Sequence, residues 1–244
     1  MTDEIAFLEP FDESWSTALA IVAHPDDLEY GTAAAVARWT SQSKRVVYCL
    51  ATSGEAGIDS MRPEVAGPLR EDEERAGAAL VGVDTVEFLG YPDGTVEYSL
   101  ALRRDIARAV RRHRPNVVIS GNHHESWGPG TLNQADHIAV GRAVIDGVRD
   151  AANRWVFREL SEEGLEPWHT DWLLISGSPD ATHGVDVTDH FAAGVASLRA
   201  HDAYLKGLGE GPMSHPEEFL ESFARSTGTR LRCRFGVGFE AIRL

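Results

Sequence analysis

Cysteine is scarce in this sequence: Cys49 and Cys233 are the only two, far apart and in no Cys-x-x-Cys pair, which points to a reducing, cytoplasmic setting. Positive charge is also short, with 23 Lys and Arg against 38 Asp and Glu and a formal net charge of −15. Nucleic acids and anionic membrane surfaces select for basic patches, so neither is expected as a partner. No run of 18 apolar residues occurs, and the acidic start from Met1 to Trp15 has no signal-type apolar core. Membrane spanning and export are therefore not expected. Linkers, internal repeats and low-complexity segments are missing as well, so 1–244 is expected to be one domain, long enough to bury a sizeable core.

What is present is a recurring pattern of short apolar runs that end in polar loops. The most informative spans Leu19 to Gly31, Leu-Ala-Ile-Val-Ala-His-Pro-Asp-Asp-Leu-Glu-Tyr-Gly. Leu19 to Ala23 predicts a buried strand, bounded by Pro25 and the two aspartates. The polar cluster then falls just past a strand end, where open α/β sheets bind ligands. A catalytic zinc-type centre needs about three protein ligands and an open position for water, and His24 and Asp27 supply two. Asp26 is left free to take a proton from a metal-bound water. The plainer alternative has His24 closing the strand while the aspartates form a turn and cap a helix.

Further along, helices are expected over Thr32 to Trp39, Arg70 to Leu80 with Gly82 as a stop, and Leu100 to Arg112. Strands are expected over Arg45 to Ala51, Thr85 to Leu89 and Asn116 to Ser120, and Gly90-Tyr91-Pro92-Asp93-Gly94 is a turn. Strands alternating with helices at this spacing imply βαβ units and an α/β fold with a mostly parallel sheet. The segment Gly121 to Asn133, rich in His, Gly and Pro, precedes Gln134-Ala135-Asp136-His137 and a helix over Ala135 to Ala151. His137, in its first turn, can lean over the preceding loop and is the third ligand candidate. Asp136 is close enough to orient a neighbouring histidine or hold a substrate group.

Taken in order, His24-Pro25-Asp26-Asp27, Thr52-Ser53-Gly54-Glu55, Arg70, Gly90-Tyr91-Pro92-Asp93-Gly94 and Asp136-His137 resemble the PIG-L/LmbE-like family of zinc-dependent de-N-acetylases. The resemblance covers about Ala20 to Ala151. It implies a Rossmann-like fold with the active site at the C-terminal edge of the strands. It implies Zn2+, or Fe2+ or another divalent ion, on His24, Asp27 and His137, with Asp26 as general base and Asp136 in the catalytic set. Arg70, Asp93 and Glu55 are implied to contact an amino-sugar substrate. Where the family often has a histidine, this chain has Gln134, which can donate a hydrogen bond to an oxyanion but cannot shuttle a proton near neutral pH. Asp26, His123 or His124 are the other candidates for that proton.

The last third predicts a strand over Asp171 to Ser176, a helix through Leu205 capped by Thr188 or Asp189, a glycine-rich flap over Gly207 to Ser214 and a closing strand within Arg232 to Leu244. Trp155, Trp168 and Trp172 are core residues or a sugar-stacking surface. His201 falls on the helix, where family members often carry a histidine. The function expected is hydrolytic removal of an N-acyl group, acetyl first, from an amino sugar or its conjugate. The rivals are an amidase on a thiol-sugar conjugate, an iron(II) oxygenase using the same two histidines and carboxylate, and a catalytically silent sugar- or metal-binding relative. Homo-oligomerisation is compatible with the sequence.

Overall fold

The computed structural model describes residues 6–244, so Met1 to Ile5 of the acidic start lie outside the described residues. The chain runs β1 (Glu9–Pro10), β2 (Thr17–Val22), α1 (Asp27–Gly31), α2 (Ala33–Ser41), β3 (Arg45–Leu50), α3 (Pro63–Leu80), β4 (Val86–Phe88), α4 (Leu100–His113) and β5 (Val117–Gly121). It continues through β6 (Ser126–Gly128), β7 (Thr131–Leu132), α5 (Ala135–Ala151), α6 (Arg158–Glu162), β8 (Trp172–Ser176), β9 (His183–Asp186), α7 (Phe191–Arg199) and α8 (Asp202–Gly207). A 3-10 turn at Pro212–Ser214, α9 (Pro216–Leu231) and β10 (Gly236–Arg243) complete it.

Eight strands form one sheet in the order β1-β9-β10-β8-β5-β2-β3-β4, and β6 and β7 form a separate hairpin. Pairing is parallel from β8 through β4, while β10 runs antiparallel between β8 and β9. The expected mostly parallel α/β sheet is therefore the observed one. Strand β2 lies at its centre with both faces covered, which is why its residues are apolar without alternation. Ala18, Ala20 and Val22 face the core beneath α2, whereas Leu19, Ile21 and Ala23 face the one beneath α4 and α5. After β2 the chain adds β3 on one side, and β5 later pairs on the other. The strand order thus reverses at β2, opening a crevice at the carboxyl ends of β2 and β5.

Several elements differ from expectation for identifiable reasons. Helix α3 begins at Pro63 rather than Arg70, because Pro63 is tolerated in the first turn and the helix carries Pro68 within it. The helix foreseen through Leu205 breaks into α7 and α8 around His201, whose side chain is fully buried. Neither Thr188 nor Asp189 caps it: the N-cap is His190, and Thr188 is occupied with Asp186 and the Phe235 N–H. The expected flap is held at Met213, whose carbonyl accepts from the Tyr30 hydroxyl at 2.9 Å. Among the described residues no helix is long and apolar enough to cross a membrane.

Candidate metal centre and active site

The turn after β2 is built around Asp27. Its Oδ2 accepts the backbone N–H groups of Ala23 at 3.0 Å and His24 at 2.9 Å, which folds the carboxylate back over the strand end. Its Oδ1 faces His137 Nε2 at 3.0 Å, and His24 Nδ1 lies 3.2 Å from the same nitrogen. His24 Nδ1 is 3.6 Å from Asp27 Oδ2. Donors about 2.0–2.2 Å from one ion stand roughly this far apart, so the set fits a zinc-type cation with room for a further ligand. His24, Asp27 and His137 do converge as a candidate metal group.

Each candidate ligand is braced from behind. His24 Nε2 lies 3.1 Å from Asp93 Oδ1 and 3.3 Å from Asp136 Oδ2, and His137 Nδ1 meets Asn133 Oδ1 at 2.9 Å. Such contacts fix a ring's tautomer and direct its other nitrogen at a metal. Asp136 also accepts the N–H groups of Gly94 at 2.7 Å and Val96 at 3.0 Å, tying the loop after β4 to the start of α5. Its place is thus behind the His24 ring, away from the open side of the cage. Burial opposes charge on His24, but the hydrogen bonds to Asp136 and Asp27 outweigh it and push the imidazole up to about 12. Burial also opposes ionisation of Asp27, yet His137 and His24 hold its carboxyl well below the usual carboxylate range.

Asp26 takes the unusual φ of 93° and is buried. Its N–H donates to Glu74 Oε2 at 3.1 Å, and the Arg70 guanidinium sits 3.1 Å from its Oδ2. Burial raises its carboxyl to about 6 against the opposing pull of Arg70. A base in that range can both accept and return a proton near neutrality.

Arg70 is held by the protein on several sides. It is 2% exposed, and besides Asp26 it donates to the carbonyls of Pro25 and, at 3.1 Å, of Gly54. Its guanidinium stacks 4.2 Å from the Tyr204 ring centroid, a neighbour the sequence reading missed. Gly54 and Gly57 wrap the guanidinium so closely that a Cβ at either would collide with it, and Gly54 has a φ of +63°. Asp93 and Glu55 likewise turn inward: Glu55 accepts the Asp93 N–H at 2.9 Å and Asp93 accepts the Ala56 N–H at 2.7 Å. This reciprocal clasp joins the loops after β3 and β4, and Asp93 carries it on to His24 Nε2 at 3.1 Å.

Gln134 stands at the N-cap position of α5 with an exposed side chain. His124 is drawn away by Glu240 at 2.9 Å, and His123 stacks on His124 with ring centroids 4.2 Å apart. Trp168 bonds the Pro115 carbonyl, Trp172 packs edge-on against Phe11, and Trp155 lies exposed before α6; among their described contacts none reaches the cage. The aromatic that does is Trp127 of the β6–β7 hairpin, 41% exposed with its ring centroid 5.7 Å from that of His137. Its only signal in the sequence is its place in the His-, Gly- and Pro-rich segment.

Fold and site together define a class: a Rossmann-like α/β protein with a candidate mononuclear metal centre at the switch point and a buried acid beside it. A family model described as GlcNAc-PI de-N-acetylase (PIG-L) matches residues 19–148, more than half of the chain, and the chain belongs to that family. It is 27% identical over 199 residues to diacetylchitobiose deacetylase of Thermococcus kodakarensis, covering 80% of this chain and 72% of that one. It is also 27% identical over 262 aligned residues to the 1D-myo-inositol 2-acetamido-2-deoxy-alpha-D-glucopyranoside deacetylase of Kineococcus radiotolerans, covering 81% and 71%. The structure of N,N'-diacetylchitobiose deacetylase from Pyrococcus horikoshii superposes with a TM-score of 0.85 at 23% identity, over 95% of this chain and 85% of that one. At that identity the superposition speaks for the fold.

Proposed function

We propose that this chain, acting as one domain, is a metal-dependent N-deacetylase of an amino sugar or amino-sugar conjugate, with His24, Asp27 and His137 holding a divalent ion, zinc first and iron(II) as the alternative. The observation that carries this reading is the cage of two imidazole nitrogens 3.2 Å apart and the Asp27 carboxylate, whose Oδ1 is 3.0 Å from His137 and whose Oδ2 is 3.6 Å from His24, with the Asp26 carboxylate next in sequence. Such an ion, when bound, polarises an acyl carbonyl and acidifies a water. Asp26, held by Arg70 and raised by burial to about 6, takes the proton of the attacking water and hands one back to the departing amine. Gln134, exposed at the start of α5, is a hydrogen-bond donor for the developing oxyanion, and it leaves the proton transfers to Asp26.

The relatives' acetylated amino-sugar substrates favour acetyl over the larger acyl group of a thiol-sugar conjugate that the amidase reading requires. A cytoplasmic setting goes with the free thiols of Cys49 and Cys233. The test is amine release from a panel of N-acetylated amino sugars and thiol-sugar conjugates, with zinc and after its removal, beside Asp26→Asn. The unaltered protein should release amine only with metal. Asp26→Asn should keep its metal and lose about 10²–10⁴-fold in kcat. Turnover that survives in Asp26→Asn would remove the assigned base, and stoichiometric zinc without amine release from any panel member would favour the silent binder.

A further inference from the structure

Beneath the catalytic turn lies a second cluster that the reaction outlined above does not use. Glu29 of α1, Glu74 of α3 and His201 at the break between α7 and α8 are all enclosed, with side chains of Glu29, Glu74 and His201 at 0% exposure. Three segments far apart in sequence bring them together. His201 Nε2 stands 3.8 Å from Glu29 Oε2 and 3.8 Å from Glu74 Oε2. These gaps are too long for hydrogen bonds. They lie slightly beyond the roughly 3.3–3.6 Å that separates two donors of one tetrahedral ion at about 2.0–2.2 Å.

Several of the polar atoms here are left without protein partners. Glu29 Oε2, Glu74 Oε1, both ring nitrogens of His201 and the nearby Tyr48 hydroxyl are buried with no hydrogen bond. A single unpartnered buried polar group costs about 1–3 kcal/mol, and charged ones more, so five together call for an occupant. The cluster also lacks its own cation: the nearest, Arg70, is committed to Asp26 and two carbonyls. Space beside the imidazole is kept by Gly77, where a Cβ would lie 3.2 Å from His201 Nε2. Ser197 fixes the opposite wall, its hydroxyl 2.8 Å from the Gly77 carbonyl and 3.1 Å from Glu29 Oε1.

We propose that Glu29, Glu74 and His201 form a second, fully enclosed site for a divalent cation, linked to the catalytic turn through the hydrogen bond from the Asp26 N–H to Glu74. Two carboxylates and a neutral imidazole offer a charge and donor set suited to zinc, manganese or iron(II). The ion neutralises both carboxylates and fixes Glu74, which in turn anchors the backbone of Asp26. The site stands or falls independently of the deacetylase reading.

Metal content per chain, measured on protein purified from zinc- and manganese-supplemented medium, tests it. His24→Ala combined with His137→Ala empties the outer cage and leaves the inner cluster untouched. About two ions are expected in the unaltered chain and about one in this double variant, the remaining ion vanishing when Glu74→Gln is added. A double variant with a native circular-dichroism spectrum and no bound ion overturns the proposal. Diffraction from crystals of the unaltered protein at the zinc and manganese absorption edges gives a readout independent of variant folding. An anomalous peak between Glu29, Glu74 and His201 supports the site, and a peak confined to the outer cage, with only water inside, refutes it.

Discussion

Asp26 combines a costly backbone conformation with a costly environment. A non-glycine residue at φ 93° stores on the order of 1–3 kcal/mol, and a buried carboxylate must be paired to stay charged. Arg70 offsets both, because it meets the carboxylate and also holds the Pro25 carbonyl that sets the turn. Removing Arg70 leaves Asp26 buried and unpaired. Arg70→Met should lower stability by about 3–5 kcal/mol, as breaking one half of a buried ion pair does. If Arg70 acts through Asp26, kcat should fall while KM moves little. Urea unfolding and steady-state kinetics check both parts. A variant of unchanged stability whose defect lies in KM would restore the substrate-contacting role expected from the family resemblance.

Among the elements, the hairpin formed by β6 and β7 decides what meets the cage from solvent. It carries Trp127 over Gly177, where a Cβ would lie 2.6 Å from the indole, and brings the ring edge-on to His137. A half-exposed indole beside a metal cage is a stacking surface for the apolar face of a sugar. Trp127→Ala should therefore raise KM about tenfold and leave kcat nearly unchanged, given roughly 0.5–1.5 kcal/mol for an aromatic contact. A fall in kcat with KM unchanged would instead mark the ring as support for His137. The strand end before His24 and Asp27 and the helix that His137 opens were legible in the sequence as local patterns, and the family resemblance joined the three residues into one candidate set. Local patterns of that kind survive without knowledge of tertiary contacts. Trp127, Tyr204 and Glu74 were not legible, since their meaning arises from packing between distant segments, as when Ser197 reaches Glu29 across 168 residues. For the same reason the protein contacts of Arg70, Asp93 and Glu55 were not legible: a motif identifies a side chain without telling which way it points.

At the scale of the molecule, the cage ties together parts of the chain that would otherwise be joined only through the sheet. His24 and Asp27 follow β2, His137 opens α5 at a separation of 113 residues from His24, and Asp93 and Asp136 clamp the loop after β4 against both. The unfolded chain cannot present these donors together, so an ion held by them stabilises the folded state alone and contributes RT ln(1 + [L]/Kd). At free metal a thousandfold above Kd this amounts to about 4 kcal/mol, or roughly 10 °C in Tm for a chain of this length. Chelation of the accessible cage should lower Tm by about that much, and added zinc should restore it. His137→Ala, which removes one ligand, should blunt the response to both treatments. A Tm indifferent to chelation, with loss of the ion verified by metal analysis, would mean that the protein braces around His24 and His137 already hold the cage closed. The ion would then be a chemical participant with no share in stability, and the loops after β2, β4 and β5 would owe their order to Asp136 and its partners.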